Sequence, residues 1–505
     1  MALFRASPAV KDVHALPVEL LSCIFTLGAL DQRSDSPFLL RPDEDDCPVS
    51  VDFQLVVSQV CRHWRQVALR TSCLWTFLHF REPCHVARAE EFLKRASKNY
   101  PLDIVVDTVS PIEHIPGVTL CHEEMRAIFA LITPHVARWH AFHLKVRANE
   151  CKLVARQALS TCGPAPMLET LQLYHFEDYR TSRNLYIATY RAPVIIFDNV
   201  LPALKNVSLI GVNLTWSHAP YLQQLHALEL ALHPDSIRPP YDAWDAMLRG
   251  SPHLRQLRLH YSGPRATDEP NERVCVPGLE ELSLTDLDPD HLARLLPALE
   301  LPRLSTLALD LPDQDFTSVI RFIAGVRDPG AGLSPSFPIA SLQILRITAL
   351  ECTQEALSAF LRALLSLRVL ELDFARLPGE TFRVLLETVT PACKCSKPMA
   401  PVPVLPRLEE ALMFGLPGQS LDEFIQFRES WAASTTSCGE PRYAWRVTLP
   451  RVVVRPGHAR GQDAVLTDLV EQGKVECLDD GLELELGEED DLEPSEDGHF
   501  DEIET

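Results

Sequence analysis

Residues 254–259, LRQLRL, are followed at 279–284 by LEELSL and at 304–309 by LSTLAL. The phrase L-x-x-L-x-L thus returns at a step of 25 residues, and it does so again from Leu342-Leu345-Ile347 to Leu367-Leu370-Leu372. Upstream copies stand at Leu168-Leu171-Leu173, Leu204-Val207-Leu209 and Leu225-Leu228-Leu230, with looser ones at Trp139-Phe142-Leu144 and Leu408-Ala411-Met413. In an extended chain alternate residues face opposite ways. The second and third apolar positions of each phrase therefore point into a core, and the residues beside them point outward. Helical stripes fill the intervals: Leu292, Leu295, Leu296 and Leu299; Leu357, Phe360, Leu361 and Leu364; Phe382, Leu385, Leu386 and Val389; and, thinner, Tyr241, Trp244 and Leu248. Each unit reads as a strand followed by a helix. One unit cannot bury both faces, but a stack of units can.

The step lies within the range of about 20–29 residues used by leucine-rich repeats, and residues 100–450 resemble that family. The resemblance implies an α/β solenoid whose strand face forms a concave binding surface. An ordinary parallel α/β sheet is the competing reading. Two features oppose it: the strand phrases are rich in Leu rather than β-branched residues, and neither GxGxxG nor GxxxxGK[ST] follows any strand. The repeats also depart from the family pattern. Its Asn or Cys eight residues after the first Leu is replaced by Phe176, Ser262, Leu287, Pro312 and Ala375, and the steps 168 to 204, 304 to 342 and 367 to 408 are overlong. An irregular solenoid is expected, with loops near 328–337 and 391–406 projecting from it. The outward positions select Gln172, Tyr174, Arg258, His260, Glu281, Ser283, Arg346, Glu371 and Asp373 as candidates for binding a target protein.

Ahead of the repeats lie HALPVELLSCIFTLGAL (14–30) and LVVSQVCRHWRQVALRTSCLWTFLHF (55–80). Pro17 suits a first helical turn, where its missing N–H costs nothing. Leu20, Leu21, Ile24, Phe25 and Leu27 make a broad apolar stripe, and Val56, Val57, Val60, Trp64, Val67 and Ala68 make a second. Two short helices with such wide apolar faces need a cover, either a partner or the rest of the chain. The ordered blocks Leu16-Pro17-x-Glu19-Leu20-Leu21-x-x-Ile24-Phe25, Val57-Ser58-x-Val60-Cys61-Arg62-x-Trp64-Arg65 and Thr71-x-x-Leu74-Trp75 resemble an F-box. The resemblance implies docking on the Skp adaptor and, through it, on a cullin scaffold. Leu16 and Pro17 would start the first contact helix, with Leu20, Leu21, Ile24 and Phe25 as its apolar contacts. Val57, Val60, Cys61 and Trp64, with Leu74 and Trp75, would form the rest of the surface or its supporting core. The compact family pattern lacks the insertion at 29–52, which holds Pro37, Pro42, Pro48 and the acidic run 43–46 and reads as a loop able to retune the docking surface. Loop closure entropy grows only logarithmically with length, so an insertion here need not break the fold.

The chain has 505 residues and a net charge of −22, but fifteen acidic residues and no Lys or Arg follow Lys474, leaving 54 acids against 47 bases in the rest. The acidity belongs to a tail at 476–505 that is expected to be disordered. Without a basic stripe, nucleic acid is not an expected partner. No stretch is apolar for long enough to span a bilayer, so no membrane partner is expected either. Fourteen dispersed cysteines with no CxxC pair suit a reducing compartment, cytoplasmic or nuclear. GxSxG, HExxH and HxxEH are absent, and Cys393-Lys394-Cys395 has no neighbouring ligands in sequence. No catalytic residues, cofactor or metal are expected. The division is an F-box-like helical domain at 12–80, a repeat region at 100–450, a cap or linker at 451–475, and the tail. The expected function is substrate recognition for an SCF-type ubiquitin ligase. The alternative is a repeat scaffold for protein–protein interaction with no ligase linkage.

Overall fold

The computed structural model describes residues 16–31, 36–41, 53–108, 119–147, 149–175, 193–265, 272–326, 337–390, 401–436, 449–455 and 463–478. Most of the expected loops at 328–337 and 391–406 and of the expected tail at 476–505 lies outside them; of the remainder, Phe337, Val404 and Leu405 are buried and Glu476 and Cys477 belong to a strand, so for these residues the expectation of projecting loop or disordered tail is corrected. The chain is mixed α/β, built on one 14-stranded sheet. Its strands are β1 Phe77–Phe80, β2 Leu102–Asp107, β3 Trp139–Val146, β4 Thr170–His175, β5 Asn206–Ile210, β6 Ala227–Ala231 and β7 Gln256–His260. They continue as β8 Glu281–Thr285, β9 Thr306–Leu311, β10 Ile344–Leu350, β11 Val369–Asp373, β12 Glu410–Phe414, β13 Arg451–Val454 and β14 Val475–Cys477. Order in the sheet is order in the chain, and every neighbouring pair is parallel. The sheet begins before residue 100 and continues past 450.

The register converts the repeated phrase into two continuous apolar rows. One runs Leu171, Val207, Leu228, Leu257, Leu282, Leu307, Leu345, Leu370; the other runs Leu173, Leu209, Leu230, Leu259, Leu284, Leu309, Ile347, Leu372. Both are buried against the connecting helices, so the core is one cluster along the whole sheet. The main chain keys each unit to the next. The carbonyl of Arg255 accepts the amides of Glu280 and Glu281, that of Glu280 accepts Ser305 and Thr306, that of Ser305 accepts Gln343 and Ile344, and that of Gln343 accepts Arg368 and Val369. The helical connections are α4 Cys84–Arg95, α5 His122–Ile132, α6 Asn149–Thr161, α7 Tyr241–Arg249, α8 Pro289–Ala298, α9 Thr317–Ile323, α10 Gln354–Ala363, α11 Thr381–Leu385, α12 Gly418–Thr436 and α13 Ala464–Glu471. The stripe at 382–389 yields only the short α11, because Thr388–Val389 leaves to pair antiparallel with Val402–Pro403.

Stacking is tight where Gly278 crosses the preceding unit: a Cβ there would meet the carbonyl oxygens of Pro252 at 2.7 Å and Leu254 at 3.1 Å. Backbone cannot yield as a side-chain tip can. Gly278→Ala is therefore expected to cost about 1–3 kcal/mol, read as a lower urea midpoint. An unchanged midpoint would mean that the stack has slack at this step.

Ahead of the sheet, α1 Val18–Asp31, α2 Phe53–Val60 and α3 Arg62–Arg70 form a small helical module. Cys61 caps α3, its sulfur accepting the amide of Trp64 at 3.4 Å. Phe25 packs on Trp64 with ring centroids 5.0 Å apart. The Phe53 ring lies over Gly28, so closely that a Cβ there would clash with it. Trp75 joins the module to β1 and α4. It is 1% exposed, its Nε1 donates to the carbonyl of Ala68, and its ring meets Phe92 edge-on at 5.0 Å.

Candidate functional site

Helix α1 is apolar on both sides, and the described residues cover only one. Leu21 and Phe25 are 1% and 0% exposed, whereas Leu20, Ile24 and Leu27, spaced i, i+4, i+7, are 52%, 48% and 60% exposed. Val18 and Leu30 on α1 and Val56 and Val60 on α2 are also exposed. Seven of the seventeen exposed large apolar residues among those described therefore fall on two adjacent helices, a concentration that scattered surface residues do not explain. The expected adaptor-contacting set divides accordingly. Leu20, Ile24 and Val60 are surface residues, and Pro17 is exposed at the start of α1. Leu16, Cys61 and Trp64 are half-buried. Leu21 and Phe25 are core, and their expected role as apolar contacts is corrected; Val57, Leu74 and Trp75 are core as well, the supporting one of the two roles left open for them, and all five hold the helices in place from beneath. Leu27 and Val56 are the additions. Both stand in the apolar stripes, and only the angle between the two sides of α1 and α2 separates them from core positions.

The second candidate surface is the sheet face turned away from the helices. One row of outward positions runs His79, Val105, His143, Gln172, Ser208, Glu229, Arg258, Ser283, Ala308, Arg346, Glu371 across β1 to β11. Its first five members are buried, and from Glu229 onward the row is open to solvent in part. The expected placement of Gln172 and Tyr174 on a free surface is therefore corrected: they point outward but are 0% and 2% exposed. The cover over Gln172 comes from the insertion. Residues 36–41 cross the strands, with Phe38 and Leu40 each 4% exposed and Leu40 packed on Phe77 and Val105. The amides of Leu39 and Leu40 donate to Gln172 Oε1 at 3.1 and 3.0 Å, and Gln172 Nε2 donates to the Leu40 carbonyl at 2.7 Å. His143 Nδ1 and Ser208 Oγ hold the same carboxamide from either side, and Ser208 in turn donates to Glu229. Tyr174 packs with Ile210, Ala231 and Leu232, with the Lys145 ammonium 5.3 Å from its ring.

From β7 onward the selected residues share one face. Arg258 pairs with Glu281 at 3.0 Å, and Gln256 donates to the other Glu281 oxygen at 3.1 Å. Arg346 pairs with Glu371 at 3.2 Å. His260, Ser283 and Asp373 are half-exposed beside them. This is a mixed, paired-charge surface. It has the polar character of a protein-contact rim.

Burial drives the imidazoles of His79, His143 and His291 down to about 4, assisted at His79 by the neighbouring His85, Arg88 and Arg81, and at His291 by Arg238 and Arg294. Each ring is neutral in the fold, but in the unfolded chain it takes a proton near pH 6.5. The stability these rings provide is thus intact above pH 6.5 and is lost as pH falls from 6.5 toward 4, by up to about 3 kcal/mol per ring. Urea midpoints measured at pH 7.5 and pH 5 are expected to drop steeply between the two. Equal midpoints would contradict neutral burial.

Among the described residues, one group of three side chains has metal-ligating types within reach, Glu82, Cys84 and His85. His85 Nδ1 already accepts the amides of Arg81 and Glu82 at 3.1 and 3.2 Å, so the imidazole closes the turn into α4. Cys393 and Cys395 lie outside the described residues. No helix among the described residues is long and apolar enough to cross a membrane.

No protein-family profile matches the chain, and no curated protein matches it. Among solved structures, the chain is similar to one in the crystal structure of the Rad7 and Elc1 complex in yeast. The two share 14% identity over 79% of this chain and 84% of that one, with a TM-score of 0.36, too low to inform the fold.

Proposed function

We propose that this protein is a substrate receptor of an SCF-type ubiquitin ligase, acting in the cytoplasm or nucleus and performing no catalysis itself. The helical module would be an F-box that docks on the Skp adaptor and thereby on a cullin scaffold. The stacked sheet would be a solenoid that holds a target protein. The observation that carries the reading is the apolar side of α1 and α2, where Leu20, Ile24, Leu27, Val56 and Val60 are exposed while Leu21, Phe25, Val57 and Trp75 are anchored beneath them. A helix pair so stabilised from below and left uncovered above suits a helix-contacting partner. The contribution of such a receptor to the reaction is proximity and orientation. Calorimetric titration of the Skp adaptor onto the full chain tests it. Saturable one-to-one binding is expected, and no heat at adaptor concentrations up to about 100 µM, roughly −5.5 kcal/mol, would leave only an unlinked scaffold.

Target binding is assigned to the open part of the strand face, at Arg258, His260, Glu281, Ser283, Arg346, Glu371 and Asp373. Arg258→Glu would set a second acid against Glu281, whereas Arg294→Glu alters an exposed position on α8, behind the sheet. In adaptor-linked purification with the proteasome blocked, the first variant is expected to lose at least tenfold of its captured target, and the second to retain it. The reverse outcome would move the target to the helical side.

A further inference from the structure

The buried half of the outward face has the construction of a peptide site. Gln172 contacts only main-chain atoms of residues 36–41: its oxygen takes the amides of Leu39 and Leu40, and its nitrogen gives to the carbonyl of Leu40. A carboxamide used in this way reads a backbone whatever the sequence, and the convergence of two consecutive amides on one oxygen makes the segment a bend rather than a strand. Side-chain selection falls to Phe38 and Leu40, which are buried, with Leu39 half-buried beside Leu40. The carboxamide is itself fixed by His143 and Ser208, and Ser208 by Glu229. The acceptor and donor are therefore pre-oriented, which reduces what a ligand must order on binding.

The present occupant is held by non-covalent contacts alone. It lies within an insertion between α1 and α2, and α1 is packed on α3 by Phe25 on Trp64 and on α2 by Phe53 over Gly28, neither of which involves residues 36–41. Release of the segment from the sheet would leave these helix contacts intact. At its Pro37 end it borders a cleft of about 380 Å³ lined by Asn206, His226, Gln256, Glu281 and Thr306. That cleft is an entry point beside the paired Arg258–Glu281 surface from which another segment could begin to replace it.

We propose that the outward face of β1 to β5 is a binding site for an apolar peptide of the pattern aromatic-x-Leu, bound through its backbone as residues 38–40 are, and that residues 36–41 are its built-in occupant, displaced when a target segment of that chemistry binds. The proposal deepens the receptor reading but is tested without adaptor or target, so the two fail separately. The probe is a fluorescent peptide of residues 36–41, SPFLLR, added to the full chain and to a Phe38→Ser, Leu40→Ser variant. Anisotropy is expected to show at least tenfold tighter binding by the variant, and a peptide N-methylated at the Leu40 amide is expected to lose at least tenfold of that affinity. In the unmodified chain, the Leu39 and Leu40 amides are expected to exchange hydrogen at least tenfold faster than amides within β2 and β4, because the segment opens locally. The idea is overturned by equal exchange, by a folded variant that binds no better than the unmodified chain, or by a variant that loses its cooperative unfolding, since residues 36–41 would then be permanent core.

Discussion

Replacing Leu20 and Ile24 together by aspartate is expected to weaken adaptor binding more than a hundredfold while leaving the melting temperature within a degree or two (about 0.5 kcal/mol). Both side chains are about half exposed, so neither contributes a full core residue to folding. Anchors at the centre of an interface typically cost about 2 kcal/mol or more when truncated, and every 1.4 kcal/mol or so is tenfold in affinity. Two such losses approach a thousandfold, before the cost of pressing carboxylates against an apolar partner. Calorimetry gives the affinity and scanning calorimetry the stability. The informative contrast is Leu21→Asp or Phe25→Asp on the same helix. These residues are 1% and 0% exposed, and a buried charge there should unfold the module. An unchanged affinity in the Leu20/Ile24 variant would place docking elsewhere.

Trp75→Ala is expected to be the most destabilising single truncation at the N-terminal end, by about 3–5 kcal/mol. The indole is 1% exposed, and its Nε1–H donates to the Ala68 carbonyl at 3.0 Å. Its ring meets Phe92 edge-on, and the Arg95 guanidinium stands 4.8 Å from the ring centre. Removing it opens a cavity, takes one of two donors from the Ala68 carbonyl, which keeps the Thr71 amide, and strips Arg95 of its platform at once. Because each unit of a stack leans mainly on its neighbours, the loss should concentrate on α1 to α4 and β1. Urea unfolding followed by tryptophan fluorescence would show an early transition from this end, absent in the unmodified chain, and adaptor affinity would fall in parallel. A shift under about 1 kcal/mol would show that the module is held to the sheet by something other than this ring.

The repeated phrase was legible because its meaning is local. Leu257 and Leu259 alternate with Arg258, and that alternation alone assigns their faces. FLHF at 77–80 and LDIVVD at 102–107 carry no such phrase and were not read as members of the sheet, nor were RVVV at 451–454 and VEC at 475–477. On α1, periodicity gave an apolar helix but not which apolar side is covered, because the division between Leu21 and Leu20 depends on what packs against them. The alternation puts Gln172 and Tyr174 on the correct face but carries no sign that the face is covered there. What covers Gln172 lies about 130 residues upstream, a distance over which no periodicity speaks. One signal was available: Phe38-Leu39-Leu40 is an apolar run in an otherwise polar, proline-rich insertion, and such a run seeks a surface.

The shared carbonyl that ties each strand phrase to the next has a consequence for how this chain can change in length. Arg255, Glu280 and Ser305 offer the same atom to the same two amides of their successors, although the spacing to the next phrase is 25 residues in two cases and 38 in the third. A tandem duplication of residues 254–278 would find its docking atoms already in position on both sides, with no strand shifted in register. Growth or loss by whole units is therefore structurally mild along the open strand face, and the reach of that face can be altered in increments of one strand, about 4.8 Å. The five strands beneath residues 36–41 lack that freedom, since a unit inserted there would pull Gln172 out of line with Leu40.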